Sequence, residues 1–380
     1  MPPEAAPTLG VYVHWPFCTR ICPYCDFNVH KTRAIDPDLW ARAYRAELQT
    51  AASRRPEGHV ESVFFGGGTP SLMPPALIED VLKTIDDLWG LADAEISLEA
   101  NPADATPENL HTLAGLGVNR LSLGVQSFDN SALDFLGRNH DAATAFTALD
   151  HARRVFARVS CDIIYARPDQ TCDDWAHELD IVLAHAPDHL SLYQLTIEPN
   201  TAFHTQAESG RLRRVADDHA AALYEITQTQ CAAAGLPAYE ISNHARAGDF
   251  CRHNRNIWQG GDYIGIGPGA AGRLTTAEGR LATHGVAAPA DWLAHIEGHG
   301  HGWEDTATLD AQAQRDEMLL SGLRLCEGIA WAHLTAHGVT PDTAAELVAA
   351  GLLETTPTHL AATARGRLLL DYVVAELVKA

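Results

Sequence analysis

The three cysteines Cys18, Cys22 and Cys25 lie within eight residues of one another, separated by three and then by two residues. Three thiolates can bind three irons of a cubane cluster, which leaves the fourth iron without a protein ligand. An open coordination position is what a reactive metal centre needs. Structural zinc is the alternative, because His14 or His30 could supply a fourth ligand, but the paired CxxC spacing typical of zinc sites is absent. The spacing therefore favours a 4Fe–4S cluster.

A glycine-rich segment, FFGGGTPS, follows at residues 64–71, directly after a short apolar run. Glycines allow backbone amides to approach a ligand closely. A glycine triplet alone is weak evidence, because any tight turn after a strand could use one. Its position shortly after the cysteine cluster makes Gly67, Gly68 and Thr69 candidates for contact with a cofactor.

Short apolar, β-branched runs alternate with amphipathic stretches over the first 200 residues, a pattern that predicts repeated βα units with parallel strands. Helix starts are marked at Asp36 and Thr106, each a capping residue followed by proline. The predicted strands are Val11–Trp15, Ser62–Phe65, Glu95–Glu99, Arg120–Val125, Val159–Ile164 and His189–Leu195.

Six such units predict an α/β protein, either a doubly wound sheet or an incomplete (β/α)6 TIM-like barrel, and both place chemistry at the carboxyl ends of the strands. The strand pattern alone leaves both architectures open. The segment Ile296–Glu304 is interpreted as a linker because it is rich in Gly and His. Helical patterns and a short hairpin over residues 305–380 predict a small helical, winged-helix-like C-terminal module, with a final helix over Arg365–Val378.

Composition restricts the partners of the chain. The formal net charge is −22, which argues against non-specific nucleic-acid binding. No apolar run is long enough to predict a membrane span, and the start of the sequence does not resemble a signal peptide, so we expect a cytoplasmic protein without stable membrane insertion. The other five cysteines are scattered singly, as small buried side chains are.

The segment CTRICPYC matches the CxxxCxxC signature of radical S-adenosylmethionine (SAM) proteins, and SLEANP, LSLGVQSF and LGRNH follow the pattern of that family at later strand ends. The resemblance implies that residues 1–295 form a radical SAM core domain that holds a 4Fe–4S cluster and SAM, and we therefore expect the incomplete (β/α)6 barrel. An arginine can bind the methionine carboxylate, and acids or amides can hold ribose hydroxyls. By resemblance, the residues around SAM would be Tyr12, Tyr24, Gly67, Gly68, Thr69, Glu99, Gln126, Arg138 and Asp162.

One departure from the family pattern lies beside this set. Ala166 and Arg167 stand where relatives usually have Gly and Leu. A longer, charged side chain at this point would add bulk and charge near the site. The departure bears on the assignment of Asp162, which lies only a few residues earlier.

The chain resembles, over essentially its whole length, the oxygen-independent coproporphyrinogen III oxidase-like family, and within it the heme-chaperone (HemW) branch. The oxidase carries a further cysteine where this chain has Phe27, and it has a longer segment before its cluster. The segment CRHNRNIW at 251–258 resembles the HNxxYW motif of the chaperones, with Ile257 in place of tyrosine. The resemblance implies that His253 binds heme iron through a neutral imidazole and that Trp258 stacks on the macrocycle.

Several functions follow from the resemblance. The chaperone branch implies heme as a cofactor, delivery of heme to respiratory enzymes and a reductant protein as a partner of the cluster. The alternative is an oxygen-independent coproporphyrinogen III oxidase, which decarboxylates a porphyrin precursor by radical chemistry. A third interpretation is a redox or zinc-stabilised module without SAM.

Two further patterns resemble binding motifs. The segment DYIGIGPGAAG at 262–272 fits GxGxxA, but it does not open an early βαβ unit, so dinucleotide binding is not expected. The histidines His295, His299 and His301 are spaced as metal ligands can be. A flexible segment rich in histidine is the interpretation that we favour for them.

Overall fold

The computed structural model describes residues 8–31, 34–185 and 188–379. Its strands are β1 Thr8–Trp15, β2 Phe17–Cys18, β3 His30–Lys31, β4 His59–Gly67, β5 Glu95–Ala100, β6 Arg120–Gln126, β7 Arg158–Tyr165, β8 His189–Gln194, β9 Asn243–Ala245, β10 Asp262–Ile266, β11 Ala271–Thr276, β12 Gly279–Gly285, β13 Trp303–Thr308, β14 Ile329–Ala330, β15 Leu353–Thr355 and β16 His359–Ala362.

Helices cover the sheet and build the C-terminal part. They are α1 Pro37–Arg54, α2 Pro75–Trp89, α3 Pro107–Gly115, α4 Asn130–Phe135, α5 Ala142–Val155, α6 Cys172–Ala184, α7 Ala202–Glu208, α8 Asp217–Ala233, α9 Arg252–Trp258, α10 Pro289–His299, α11 Ala311–Gly322, α12 Trp331–Ala336, α13 Pro341–Ala349, α14 Ala364–Leu368 and α15 Leu370–Lys379. As predicted, Asp36 and Thr106 cap α1 and α3 through their side chains.

The large sheet has the strand order β13-β12-β11-β10-β1-β4-β5-β6-β7-β8-β9, so its two edge strands do not pair with each other. The six strands β1, β4, β5, β6, β7 and β8 pair in parallel. Five of them contain the whole predicted strand, and β8 ends at Gln194, one residue before the predicted end at Leu195. The expected incomplete (β/α)6 barrel is therefore confirmed, and the doubly wound alternative is wrong. Parallel strands bring their carboxyl ends to one rim, where the cysteine loop follows β1.

Strand β13 pairs antiparallel with β12 and therefore belongs to the large sheet, so the last residue of this sheet is Thr308. The linker predicted over Ile296–Glu304 is wrong: α10 continues to His299, and β13 begins at Trp303. The segment 262–272 also forms a strand, a turn and an antiparallel strand, not the strand and helix that a dinucleotide site requires. Strand β13 forms because it can pair with the free edge of β12, and this long-range pairing cannot be predicted from the local sequence pattern.

The C-terminal module has its own apolar core, which includes Leu319, Leu334 and Val373. Its three short strands pair antiparallel in the order β14-β16-β15, and the predicted hairpin is β15 and β16. The predicted final helix is interrupted at Leu369, between α14 and α15. No helix in the described residues is long and apolar enough to cross a membrane.

Candidate cluster and cofactor cavity

The three cysteines lie on one loop above the carboxyl end of β1. The loop is closed by the parallel pair of β2 with β3 and by the His30 amide, which donates to the Pro16 carbonyl at 2.7 Å. Within it the Cys25 amide donates to the Cys22 carbonyl at 3.2 Å. Cys18 is buried, whereas Cys22 and Cys25 are partly exposed. The turn thus presents all three thiols at the rim of the barrel.

The surroundings of the thiols stabilise negative sulfur. The Thr69 hydroxyl donates to Cys18 Sγ at 3.4 Å, and Arg138 Nη1 lies 3.4 Å from Cys22 Sγ. Burial nevertheless raises the pKa of Cys18 and raises that of Cys25 to about 11. Without a metal these two thiols are therefore protonated at neutral pH. Iron binding, which needs thiolate, would release their protons.

A cavity of about 410 Å³ opens beside the thiols. Its walls include the three cysteines and most of the residues that the sequence predicted around SAM. These are Tyr24, Gly67, Gly68, Thr69, Glu99, Gln126, Arg138 and Asp162. The cavity therefore brings together residues that are up to 180 positions apart in the sequence, from Cys18 to Glu198.

The glycine turn is shaped by close packing against β1 and β2. Gly67 has φ of +105°, and a Cβ there would lie 2.5 Å from the His14 ring. A Cβ on Gly68 would lie 2.7 Å from the Phe17 carbonyl oxygen. The amides of Gly68 and Thr69 donate to Trp15 and Phe17 carbonyls at 2.7 and 3.0 Å. These two amides are thus used inside the protein, where the glycines permit the close approach of two strands, and all three residues Gly67, Gly68 and Thr69 line the cavity.

Two half-buried carboxyl groups, Glu99 and Asp162, line the cavity. Glu99 Oε2 accepts the Gly67 amide at 3.2 Å, and Asp162 accepts the Ser122 hydroxyl at 2.9 Å. Burial and the nearby Asp162 raise the pKa of Glu99 to about 8, and burial also raises the pKa of Asp162. Glu99 is therefore largely protonated at neutral pH, when it can donate as well as accept a hydrogen bond.

Two polar atoms at the cavity have no hydrogen-bond partner within the described residues, namely Gln126 Oε1 and Arg138 Nε. Gln126 has φ of +68° at an irregularity in β6, a conformation that is costly for a residue other than glycine. Arg138 Nη2 is held by the Gly124 carbonyl at 2.8 Å. Buried polar atoms are normally satisfied, so these two atoms mark a place for a polar ligand. The cavity fits the group that the motifs imply.

Arg167 does not enter the cavity, although the sequence placed its charge near the site. It is buried and forms an ion pair with Glu178 at 2.5 Å, and Nη1 donates to the Ile164 carbonyl at 2.8 Å. Ala166 takes a φ of +55°. Its neighbour Arg167 is thus directed into the wall of the barrel. The departure from the family pattern leaves Asp162 in place.

Tyr12 and His253 lie deeper in the barrel than the cavity-lining residues. The Tyr12 hydroxyl pairs with His14 Nδ1 at 3.0 Å, and its ring stacks on the His253 ring with centroids 6.0 Å apart. The His253 ring also stacks on Phe64 at 5.1 Å, and only 4% of its surface is exposed. The structure therefore does not bring these two predicted residues to the cavity.

The remaining motif side chain, Trp258, lies on another face of α9. The Arg324 guanidinium stacks over its ring at 4.4 Å, and Arg324 also pairs with Glu240 at 3.1 Å. His253, by contrast, is packed among the aromatic rings inside the barrel. The heme pocket that the resemblance implied, with both side chains against one macrocycle, is not formed in this structure.

Of the histidines considered as metal ligands, His14 and His295 are hydrogen-bonded within the protein, whereas His30 Nε2 has no partner among the described residues. His14 is occupied at both nitrogens, by Tyr12 at Nδ1 and by the Asn28 carbonyl at Nε2. The rings of His295 and His299 lie 4.3 Å apart, but in the part of the chain that the structure describes no three His, Cys, Asp or Glu side chains are placed to hold one metal ion. A cubane has no such requirement, because each thiolate binds a different iron.

Some cavity residues were not singled out from the sequence. Tyr193 and Gln194 line the cavity at the end of β8, and Ile21 does so on the cysteine loop. Phe27, which the sequence analysis noted only for the absence of a further cysteine, lines the cavity as well. Phe27 is 60% exposed. Polar and aromatic residues at the end of the sixth parallel strand were a usable signal for Tyr193, since chemistry in such folds collects at strand ends.

Comparisons with known proteins agree with this geometry. Residues 12–182 match the Radical SAM superfamily, and residues 309–369 match the HemN C-terminal domain. A Mycobacterium tuberculosis protein called "Heme chaperone HemW" is 36% identical, over 99% of this chain and 96% of the relative. A mouse protein called "Radical S-adenosyl methionine domain-containing protein 1, mitochondrial" is 39% identical, over 87% of this chain and 76% of the relative.

A solved structure has the same fold. The Escherichia coli protein described as coproporphyrinogen III oxidase (HemN), a radical SAM enzyme, superposes with a TM-score of 0.81 at 24% identity. The match covers 98% of this chain and 90% of the other. At this identity the likeness concerns the fold, including both the open barrel and the C-terminal module.

Proposed function

The chain belongs to the HemN-like radical SAM proteins, in the branch of the HemW proteins, and we propose that it is a heme chaperone that binds heme and delivers it to respiratory proteins. The observation that carries this proposal is the similarity to bacterial heme chaperones over nearly the full length, at 36% identity to the mycobacterial protein and 32% to one from Bacillus subtilis. Phe27 at the position of the further oxidase cysteine supports the same branch.

Membership of the radical SAM proteins implies a 4Fe–4S cluster and SAM. In our proposal Cys18, Cys22 and Cys25 bind the cluster. The bound cluster supplies an open iron and a source of single electrons. Arg138 positions Cys22 by donating to its sulfur, and its unpartnered Nε is available to the carboxylate of SAM. Glu99 and Asp162 offer hydrogen bonds to ribose hydroxyls.

The heme ligand in our proposal is His253. Burial lowers the pKa of this side chain to about 4, so the imidazole is neutral at physiological pH, which is the form that binds iron. Its Nδ1 atom has no partner among the described residues. His140 and His244 also have a buried Nδ1 without a partner among the described residues, so the feature that singles out His253 is its position in the segment that resembles the heme-chaperone motif.

Heme can reach His253 only if α9 moves away from the barrel. The helix is held by Asn256 Nδ2, which donates to the Asp262 carbonyl at 2.9 Å, and by Arg255, which pairs with Glu327 of the C-terminal module at 3.0 Å. The second contact is exposed and therefore weak. We propose that the C-terminal module releases α9 when heme binds. Heme binding would then be coupled to the position of the C-terminal module relative to the barrel.

The test is an anaerobic heme titration of the wild type, of His253→Ala and of the control His244→Ala. His244 is equally buried and is also neutral, with a pKa lowered by burial to about 4. We expect a Soret shift and tight binding for the wild type and the control, and loss of both for His253→Ala. Unchanged binding by His253→Ala would contradict the assignment of the ligand, and absence of binding by the wild type would contradict the function.

The alternative function is that of the oxidase, favoured by the structural similarity to the Escherichia coli enzyme. It predicts decarboxylation of coproporphyrinogen III together with cleavage of SAM in an anaerobic assay with a reductant. We expect no porphyrinogen turnover by this chain. Turnover in proportion to SAM cleavage would replace the proposed function with the enzymatic one.

The cellular site of action that we propose is the cytoplasm.

A further inference from the structure

The neighbouring strands β6 and β7 both end at a residue other than glycine with a left-handed backbone. Gln126, the last residue of β6, has φ of +68°, and Ala166, the residue after β7, has φ of +55°. This conformation is costly for residues other than glycine and persists only where the surrounding structure enforces it. The contacts that follow these two strand ends meet at one buried side chain.

That side chain is Glu178 of α6, which is 6% exposed. From the segment that follows β6, the Ser127 hydroxyl donates to its Oε1 atom, and so does the Phe128 amide at 3.4 Å. From the segment that follows β7, Arg167 Nη2 donates to its Oε2 atom at 2.5 Å, and Gln170 Nε2 does so at 3.3 Å. One carboxylate thus ties together the two segments that begin directly after the left-handed residues.

This tie restricts the backbone of Gln126. On one side, Gln126 pairs with Ile163 of β7 after an irregularity in the register of the two strands. On the other side, the next residue, Ser127, is completely buried and bound to Glu178. An ordinary φ at Gln126 would shift one of these neighbours, and it would therefore break the strand pairing or the contacts with Glu178.

The direction of the Gln126 side chain depends on this backbone. The side chain lines the cavity, and its Oε1 atom has no hydrogen-bond partner in the part of the chain that the structure describes. Its Nε2 atom lies over Gly124, where an added Cβ would be 3.1 Å away. Successive residues of a regular strand face opposite sides, and an irregularity in the pairing changes the direction of a side chain. The amide therefore faces the cavity only while the irregular backbone is maintained.

We propose that Glu178 is a positioning residue for SAM: through Ser127 and Phe128 it holds Gln126 in the conformation that directs its free amide oxygen into the cavity. The inference rests on the proposed function, because it requires SAM in this cavity. The oxygen can accept a hydrogen bond from a hydroxyl or ammonium group of SAM. A group that is already held in place loses little further freedom when the ligand binds, which raises the affinity.

Arg167 contributes to the other half of the tie. Its guanidinium binds the Glu178 carboxylate from the segment after β7. Replacement of Arg167 leaves the contacts of Ser127 and Phe128 in place. The position of Gln126 is therefore set by the two contacts on the β6 side.

The test is equilibrium dialysis of SAM against the reconstituted full-length chain, with Ser127→Ala as the test variant. This substitution removes a hydrogen bond to a charged group, so we expect the dissociation constant of SAM to rise about tenfold. The matched control is Ser62→Ala, because the Ser62 hydroxyl is equally buried in β4 and has no hydrogen-bond partner among the described residues. The control should bind SAM as the wild type does.

A double-mutant cycle tests whether the effect passes through Gln126. Gln126→Ala removes the amide that the tie directs, so the addition of Ser127→Ala should change the dissociation constant of SAM by less than about twofold. Urea unfolding of each protein measures the stability separately. A contact that matters only for folding would lower the free energy of unfolding and leave the SAM affinity unchanged.

The outcomes distinguish failure of this inference from failure of the proposed function. If the wild type takes up no cluster or binds no SAM, the proposed function itself fails. If the wild type binds SAM and Ser127→Ala binds it equally tightly, Glu178 does not position a SAM ligand and this inference is overturned. The same follows if Ser127→Ala causes its full loss of affinity in the Gln126→Ala background.

Discussion

The cysteine loop and helix α9 each carry a motif that predicted a ligand site, but they present their side chains in different ways. The loop follows a parallel strand, so its three thiols face the rim where the other strand ends also deliver their polar residues. In α9, His253 and Trp258 are five positions apart and lie on different faces. The residues of a motif on a loop at a strand end can therefore be expected to form one site. For a motif on a helix, only the residues that share a helical face can be expected to do so.

The two regions also differ in how easily a ligand can reach their unpartnered polar atoms. Around the loop, unpartnered atoms of Gln126 and Arg138 face an open cavity, so a ligand can reach them without a change of fold. Around α9, the unpartnered Nδ1 of His253 is enclosed by the rings of Tyr12 and Phe64. The first region is preorganised for its ligand, and the second requires movement, which costs free energy that binding must repay.

The largest expected effect is loss of the cluster from the loop. Cys22→Ala removes one of three iron ligands, so we expect reconstituted iron to fall from about four atoms per chain to below about one. Iron and acid-labile sulfide are measured after anaerobic reconstitution. Cys172→Ala, at a partly exposed cysteine outside the loop, is the control and should retain full iron. Equal iron in both variants would mean that the loop is not the binding site.

The next effect concerns the barrel wall beside the cavity. Arg167→Met leaves the buried Glu178 carboxylate without its ion-pair partner, for which we expect a loss of about 3 kcal/mol in the free energy of unfolding. SAM affinity should stay within about twofold, because a group outside the cavity contributes little to binding. Denaturant unfolding and a SAM titration measure the two quantities. A large loss of SAM affinity at unchanged stability would place Arg167 in the site after all.

A smaller effect follows from the titration of Glu99. Its pKa is raised from the ordinary value of 4.5 to about 8, so between these values the folded protein binds a proton that the unfolded chain has lost. The free energy of unfolding of the cluster-free protein should therefore decrease as the pH rises through this window, by at most about 1.4 kcal/mol per pH unit from this group.

The variant Glu99→Gln has no titratable group at this position, so the decrease between about pH 5 and 8 should be smaller than in the wild type. The measurement is the midpoint of urea unfolding at several pH values. The control Glu304→Gln alters an exposed carboxyl group on β13 and should keep the wild-type slope. A slope that is the same in all three proteins would show that Glu99 is already ionised in the folded state.

The smallest effect tests the placement of Trp258. Trp258→Leu removes the ring under the Arg324 guanidinium, which should cost about 0.5–1 kcal/mol of stability. The heme affinity of Trp258→Leu should equal that of the wild type, because this ring faces the C-terminal module and does not contact the heme. Trp258→Phe keeps an aromatic ring and should lose less. Strong loss of heme binding in Trp258→Leu would show that His253 and Trp258 meet at one macrocycle in the heme-bound state.

The parallel sheet was accessible from the sequence because it follows from a repeated local pattern, six apolar strands separated by helices. The residues Glu99, Gln126, Arg138 and Asp162 were accessible only through motifs that resemble those of the radical SAM family, and the structure places these four side chains at one cavity. Long-range pairing was not accessible. The partner of Arg167, the helical face of His253 and the pairing of β13 with a sheet edge depend on tertiary contacts that no local pattern encodes.

The most direct test of the central claim is electron paramagnetic resonance of the reconstituted, reduced protein with and without SAM. If Cys18, Cys22 and Cys25 hold a 4Fe–4S cluster with one iron free of protein ligands, SAM will bind that iron and change the g values of the reduced cluster. We predict this change for the wild type. A spectrum that is identical with and without SAM, or a protein that takes up no iron, would contradict the account.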